Sequence, residues 1–261
     1  PVLSRGARVI CLLRDGETIG PLCQWLDLHG WGETSVIALS ALGGSNESIL
    51  SFAANTGSIP RCKAPVAVAL EAKGQLGLPR AGGLSDDLFI HDGQITKRHS
   101  RALALSALAP RPREVLWDIG AGSGSISVEW ALADGIAVSV EQQSARAANI
   151  RNNAAAFGLS HRITVVEGSS PHVLAGLPLP DAIFAGGGLT ADHFQAIWAL
   201  MRSGTRFVAH AVALETQALV SDLHARQGGD LVRFEVSHAE PLGRMRSWQA
   251  VRPIVQWTTT K

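Results

Sequence analysis

Cysteine is scarce in this chain: Cys11, Cys23 and Cys62 are the three in 261 residues, and no two form a Cys-x-x-Cys pair. Their odd number and wide spacing exclude a disulfide framework and point to reduced thiols, as expected of a cytoplasmic protein. An excess of either charge is missing as well. Lys and Arg total 23 against 22 for Asp and Glu, a formal net charge of +1, and no dense basic stretch occurs. A nucleic-acid partner is therefore not expected. No apolar run approaches the ~18 residues of a membrane-spanning helix, so no membrane partner is expected either. The opening residues, Pro-Val-Leu-Ser-Arg, carry no signal-peptide core. An initiator Met is also lacking, and the chain is read as a processed product or a piece of a longer one. The nine histidines follow no metal-ligand spacing. No metal site is expected, and His91, His99 and His210 read first as ordinary core or surface residues.

What is present suffices for two folded domains. Hydrophobic residues make up 46% of the chain and charged ones 17%, which buries a core and argues against disorder. Residues 1–73 predict strands at Ala7–Leu13, Val36–Leu39 and Pro65–Leu70. They predict helices at Pro21–His29 and at Ser45–Ala54, the second opened by a Ser/Asn cap. Strands alternating with helices predict a parallel sheet there. Lys73–Leu84 holds four glycines and a proline, so residues 74–84 read as a linker.

Residues 85–261 alternate more fully. Helices are predicted at Thr96–Leu108, Ser123–Ala133, Ser144–Phe157, Ala191–Met201 and Leu214–Gln227. Strands are predicted at Val115–Ile119, Ala137–Val140, Ile163–Val166, Asp181–Ala185 and Arg206–Ala213. Two closing strands, Leu231–Ser237 and Ala250–Gln256, have no helix between them and predict an antiparallel edge. Trp117 and Trp130 read as core.

The chemistry concentrates at the ends of these strands. Leu116-Trp117-Asp118-Ile119 runs into Gly120-Ala121-Gly122-Ser123-Gly124, which opens a helix. Glycines permit a tight turn and bring bare backbone against a ligand, and the helix start offers N–H groups. The spacing differs from the G-x-G-x-x-G of dinucleotide enzymes, and an acid just before the glycines, Asp118, is more typical of S-adenosylmethionine enzymes. Glu141 follows 17 residues beyond Gly124, where an acid can accept both ribose hydroxyls of a nucleoside. Gly168-Ser169 ends the next strand, where adenine would dock. Ala185 and Gly186, with Gly187 and Gly188, end the one after, beside the reacting methyl. The expected fold class is α/β: a Rossmann-like class I S-adenosylmethionine methyltransferase domain, mostly parallel with an antiparallel edge, preceded by a smaller α/β segment.

Several blocks together resemble one family. They are Asp92-Gly93-Gln94-Ile95-Thr96-Lys97, LWDIGAGSGSISVEW, Val140-Glu141, DAIFAGGG and Ala213-Leu214-Glu215-Thr216. Over about residues 84 to 257 the chain is similar to the decarboxylating precorrin-6 methyltransferases of cobalamin biosynthesis. The resemblance implies methylation of ring carbon 15, loss of carboxyl from the acetate on carbon 12, and cofactor contacts at Thr96, Gly120 to Gly124, Glu141 and Ala185. It also implies a homo-oligomer, a tetramer in single-domain members. Residues 1–73 resemble the second half of a tetrapyrrole methylase domain acting on carbon 5, through Arg14–Thr18, Ser40-Ala41-Leu42-Gly43-Gly44 and the VAVAL strand. The Gly-rich cofactor loop of that domain is not in the chain, so carbon-5 methylation is not expected of it.

A tetrapyrrole substrate of this kind bears many carboxylates, so basic side chains are expected at the site's mouth. Arg244 and Arg246, between the last two strands, are the candidates. Glu215 and His210 are candidates for proton movement. Two other functions fit the Gly-rich bend: a methyltransferase acting on nucleic acid or protein, and a non-catalytic tetrapyrrole-binding module. The first would want a basic surface and a Pro-aromatic loop where Gly186–Leu189 stands. The second would bind the cofactor weakly or not at all.

Overall fold

A computed structural model of the chain describes residues 3–261, which divide into two compact units, one ending at Arg80 and one spanning Ala81–Lys261.

In the first unit, β1 (Arg8–Leu13), α1 (Ile19–Leu28) and β2 (Ser35–Ser40) follow the predicted order, but β3 (Ser48–Ala53) is a strand where a helix is predicted. Its residues alternate in burial with period two, and Leu50 and Phe52 pack into the unit's core opposite Ala38 and Val36 of β2. The Ser/Asn pair read as a helix cap sits instead in the β2–β3 turn, where Gly43 N donates to Glu47 Oε2 at 2.6 Å. The sheet is also not parallel. β4 (Val66–Glu71) lies between β1 and β2 and runs antiparallel to both, giving the order β1-β4-β2-β3. The β1–α1–β2 crossover does set β1 and β2 in one direction. The returning strand then occupies the slot between them, a long-range pairing that local pattern does not encode. Ile19, Cys23 and Leu26 of α1 pack on Val36, Val66 and Val68.

The second unit carries a seven-stranded sheet flanked by helices. Its parallel part contains β5 (Val115–Ile119), β6 (Ile136–Glu141), β7 (Ile163–Glu167), β8 (Ala182–Ala185) and β9 (Arg206–Ala211). β10 (Asp230–Phe234) and β13 (Ile254–Thr260) close one edge antiparallel. The order is β10-β13-β9-β8-β5-β6-β7. The chain winds outward from β5 in both directions, so β5 marks the point where ligands bind in open α/β sheets. The helices are α2 (Arg98–Leu108), α3 (Ser125–Leu132), α4 (Ser144–Ala156), α5 (Ala191–Leu200) and α6 (Leu214–Gln227). Trp117, Trp130 and Trp257 are fully buried, the expected place for large apolar rings.

The closing pair differs from the prediction. An extra hairpin, β11 (Ser237–Leu242) and β12 (Met245–Ala250), stands between β10 and β13 and pairs only with itself. Its residues are exposed, Leu242, Met245 and Trp248 among them. The predicted strand Ala250–Gln256 thus begins four residues late, because Ala250 belongs to the hairpin.

Packing fixes one glycine of the bend. At Gly124, φ is +72° and an added Cβ would lie 2.7 Å from Cγ2 of Ile150 on α4. Gly124→Ala should lower unfolding free energy by about 2–3 kcal/mol, combining left-handed strain with overpacking. Urea denaturation reads this, and an unchanged midpoint would show that α3 and α4 separate easily.

Candidate active site

A cavity of about 1080 Å³ opens at the C-terminal ends of β5, β6, β8 and β9. It lies at the upper end of the ~300–1,000 Å³ of small-molecule sites. Its floor is the bend after β5. Gly120 and Gly122 hold φ of +67° and +60°, which glycine alone adopts freely. A Cβ at Gly120 would meet no atom within 4 Å, so the bare backbone faces open space.

Glu141, the last residue of β6 and 4% exposed, reaches this bend. Its carboxylate accepts Gly122 N–H at 2.9 Å through Oε2 and Gln143 N–H at 2.9 Å through Oε1. Gly120 N and Ala121 N donate to the Val140 carbonyl at 2.9 and 3.0 Å. The amides of Gly120, Ala121 and Gly122 are therefore spent on holding the bend. A pyrophosphate would need them free; a phosphate-free nucleoside asks only for close approach and a sugar acceptor. The residues present fit such a group, since each Glu141 oxygen keeps a lone pair beyond the one it uses.

The other predicted residues divide into wall and support. Thr96, Ala121, Gly168, Ser169, Gly186 and His210 line the cavity. Thr96 does so from the loop before α2, which begins at Arg98, and the first turn of α2 lines the cavity beside it. Asp118, Ser123, Gly124 and Ala185 stay outside the wall. Asp118, 1% exposed, accepts Ser127 N–H at 3.2 Å and Ser127 Oγ–H at 2.7 Å, and Ser127 Oγ meets Ser139 Oγ at 2.7 Å. It ties β5, α3 and β6 together beneath the bend. Burial pushes its carboxyl up to about 6; the Ser127 hydrogen bonds oppose this and the Glu141 charge adds to it.

His210, 3% exposed, pairs across the β9–β13 register with Gln256, with Nε2 at 2.9 Å from Oε1. Burial pushes its imidazole below the ordinary value, against the Gln256 contact, which raises it. Glu215 is exposed in the first turn of α6 and outside the wall. Arg244 sits at the hairpin turn and Arg246 on β12, both exposed and outside the wall. The hairpin displaces them, and the arginine it brings to the cavity at its base is Arg252, with Lys97 and Arg98 across from it on the loop and α2.

Sequence reasoning missed Asn153, Arg101 and Glu129, which hold the loop in place from buried positions. Glu129 carried a usable signal: one acid in the helix SISVEWAL, otherwise apolar or small. Among the described residues no group of three or more His, Cys, Asp or Glu is placed to hold a metal, and no helix is long and apolar enough to cross a membrane.

This strand order, with its glycine bend and acid-tipped second strand, is the fold of the S-adenosylmethionine-dependent methyltransferases. Such an O-methyltransferase of Thermotoga maritima shares it at a TM-score of 0.54 and 15% identity, over 88% of this chain and 94% of that one. The family model described as "Precorrin methyltransferase domain" matches residues 87–261. A crystal structure of the C-terminal domain of precorrin-6Y C5,15-methyltransferase from Rhodobacter capsulatus is 50% identical, with a TM-score of 0.69, covering 70% of this chain and 100% of that one. A precorrin-6Y C(5,15)-methyltransferase [decarboxylating] of Sinorhizobium sp is 45% identical over 100% of this chain and 64% of its own length. The chain belongs to the precorrin methyltransferase family, and it spans about two thirds of the length of such curated relatives.

Proposed function

We propose that Ala81–Lys261 transfers a methyl group from S-adenosylmethionine to carbon 15 of a precorrin-6 ring and releases the carboxyl of the carbon-12 acetate as carbon dioxide. The observation that carries this is the Glu141 carboxylate on the Gly122 amide at the floor of the cavity. Family membership supplies the substrate class.

Glu141 would hold the ribose, Gly120 and Gly122 would let the nucleoside approach bare backbone, and Gly168-Ser169 would flank the adenine. Thr96 would cover it, and Ala185 and Gly186 would border the methionine part. Once bound, the cofactor supplies an electrophilic methyl. The chain itself positions the ring carbon in line. The neutral His210 on the wall, its Nε2 donating to Gln256 Oε1, can take at Nδ1 the proton that the ring carbon sheds after methylation and return it to the acetate carbon that carbon dioxide leaves, so the protons balance over the two steps. Lys97, Arg98 and Arg252 hold ring carboxylates at the mouth. The exposed hairpin supports a homo-oligomer, because a two-stranded ribbon is marginal in water by itself.

Incubating the chain with precorrin-6 and cofactor should yield a product gaining one methyl and losing one carbon dioxide by mass spectrometry. An unchanged substrate mass, with cofactor bound, would discard this reading. Arg252→Ala should raise KM for the ring about tenfold, the loss of one charge-assisted hydrogen bond, and leave cofactor affinity intact. Arg244→Ala should change neither. A substrate titration that ranks the two variants the other way would return the role to the hairpin.

A further inference from the structure

The loop of residues 83–97 borders the cavity as a strap, through Ser85, Asp86 and Asp87 near one end and Gln94 to Lys97 at the other, and a buried set of side chains holds it at three places. At both ends the holder is Arg101 of α2, whose side chain is fully buried. Its Nη2 donates to the Leu84 carbonyl at 2.5 Å, and its Nη1 donates to Asp86 Oδ1 at 3.1 Å and to the Thr96 carbonyl. One guanidinium thus gathers residues 84 and 96. Its Nε donates to Glu129 Oε1 at 2.5 Å, and Glu129 also accepts Gly83 N–H at 2.6 Å and Leu84 N–H at 2.9 Å.

The middle is held by Asn153 of α4, 0% exposed. Its Oδ1 accepts Ile90 N–H at 2.8 Å, and its Nδ2 donates to the Ile90 and Ser123 carbonyls, each at 2.9 Å. Ser123 belongs to the glycine bend, so one amide fastens strap to floor. Beyond it, Arg146 Nε meets Asp92 Oδ2 at 2.8 Å. The strap then rests on the bend: a Cβ at Gly122 would lie 3.3 Å from the Gln94 carbonyl.

We infer that Arg101 and Asn153 are positioning residues that set the strap's height above Gly122 and thereby the affinity for the nucleoside cofactor. This rests on the cofactor reading above. A buried ion pair is weak evidence for stability, since an apolar pair of like volume often serves as well. What an apolar pair cannot do is fix carbonyls twelve residues apart at once, and a planar guanidinium with five donors can. A strap that spends a tenth of its time in place lowers apparent affinity about tenfold, because only the competent fraction binds.

The test uses the full chain, Arg101→Lys and Asn153→Ser. Lysine keeps the charge beside Glu129 without the fork, and serine frees the strap's centre without burying a new charge. Calorimetric titration with S-adenosylhomocysteine should show affinity falling about tenfold or more in both. Hydrogen exchange without ligand should quicken in residues 84–96 and hold steady in β5, β6 and β8. Unchanged affinity in the two variants overturns the inference, as does exchange rising equally through the sheet. If the unsubstituted chain itself fails to bind, the cofactor reading falls, and this inference with it. Tight binding by the unsubstituted chain and by both variants removes only the strap's role.

Discussion

Glu141→Ala should weaken S-adenosylhomocysteine binding by two orders of magnitude or more. In the proposed complex the carboxylate accepts two ribose hydroxyls, and hydrogen bonds to a charged group contribute about 1.5–3 kcal/mol each. Losing both is about 3–6 kcal/mol, or roughly 10²- to 10⁴-fold in affinity. The same substitution strands the Gly122 and Gln143 amides that Glu141 now satisfies, so the bend should loosen as well. Glu141→Gln separates the two effects. Its amide retains one acceptor oxygen and turns the other position into a donor facing an N–H, so binding should fall between parent and Ala variant. Calorimetry on the three proteins decides it. Ala-variant affinity within a few-fold of the parent would remove Glu141 from the sugar.

The second large effect is in stability against pH, and it belongs to Asp118. Its carboxyl titrates near 6 in the folded chain, against 3.8 for the ordinary group, chiefly because it is buried. Below about pH 3 folded and unfolded chains both carry the proton. Between about 4 and 6 the folded chain keeps a proton that the unfolded chain has released, so stability falls as pH rises through this window. Above 6 the folded chain must bury the charge, and the full difference of two pH units, about 3 kcal/mol, has been lost. Asp118→Asn has no such proton. The difference in unfolding free energy between variant and parent should therefore shift by about 3 kcal/mol in the variant's favour from pH 3 to pH 8. Urea denaturation across that range measures it, and parallel pH curves would mean that Asp118 titrates like an exposed acid.

Much of the second unit could be read in advance because its elements are specified locally. The strand Val115–Ile119 and the helix Leu214–Gln227 have the bounds that their apolar runs and periods predict. Glu141 lies far from the glycine bend along the chain, yet β6 pairs in parallel with β5, Val140 opposite Ile119, so the register delivers both to one edge of the sheet. The reading failed where partners decide. SILSFA is short and mixed, and only its register against β2 makes it a strand. Asp118 was identifiable as the acid before the glycines, but its place beneath the bend depends on Ser127, nine residues on. The segment between the two closing strands reads as a loop, and no strong apolar alternation announces the hairpin that carries Arg244 and Arg246 there.

From the residues alone came the fold class, the bend and the acid at the next strand's tip, because glycine spacing and strand period are properties of neighbours along the chain. Which amides remain free, how deep each carboxylate lies and what closes the cavity were decided by the tertiary structure. Burial and long-range hydrogen bonding, such as one guanidinium gathering residues 84 and 96, exist only once distant segments meet.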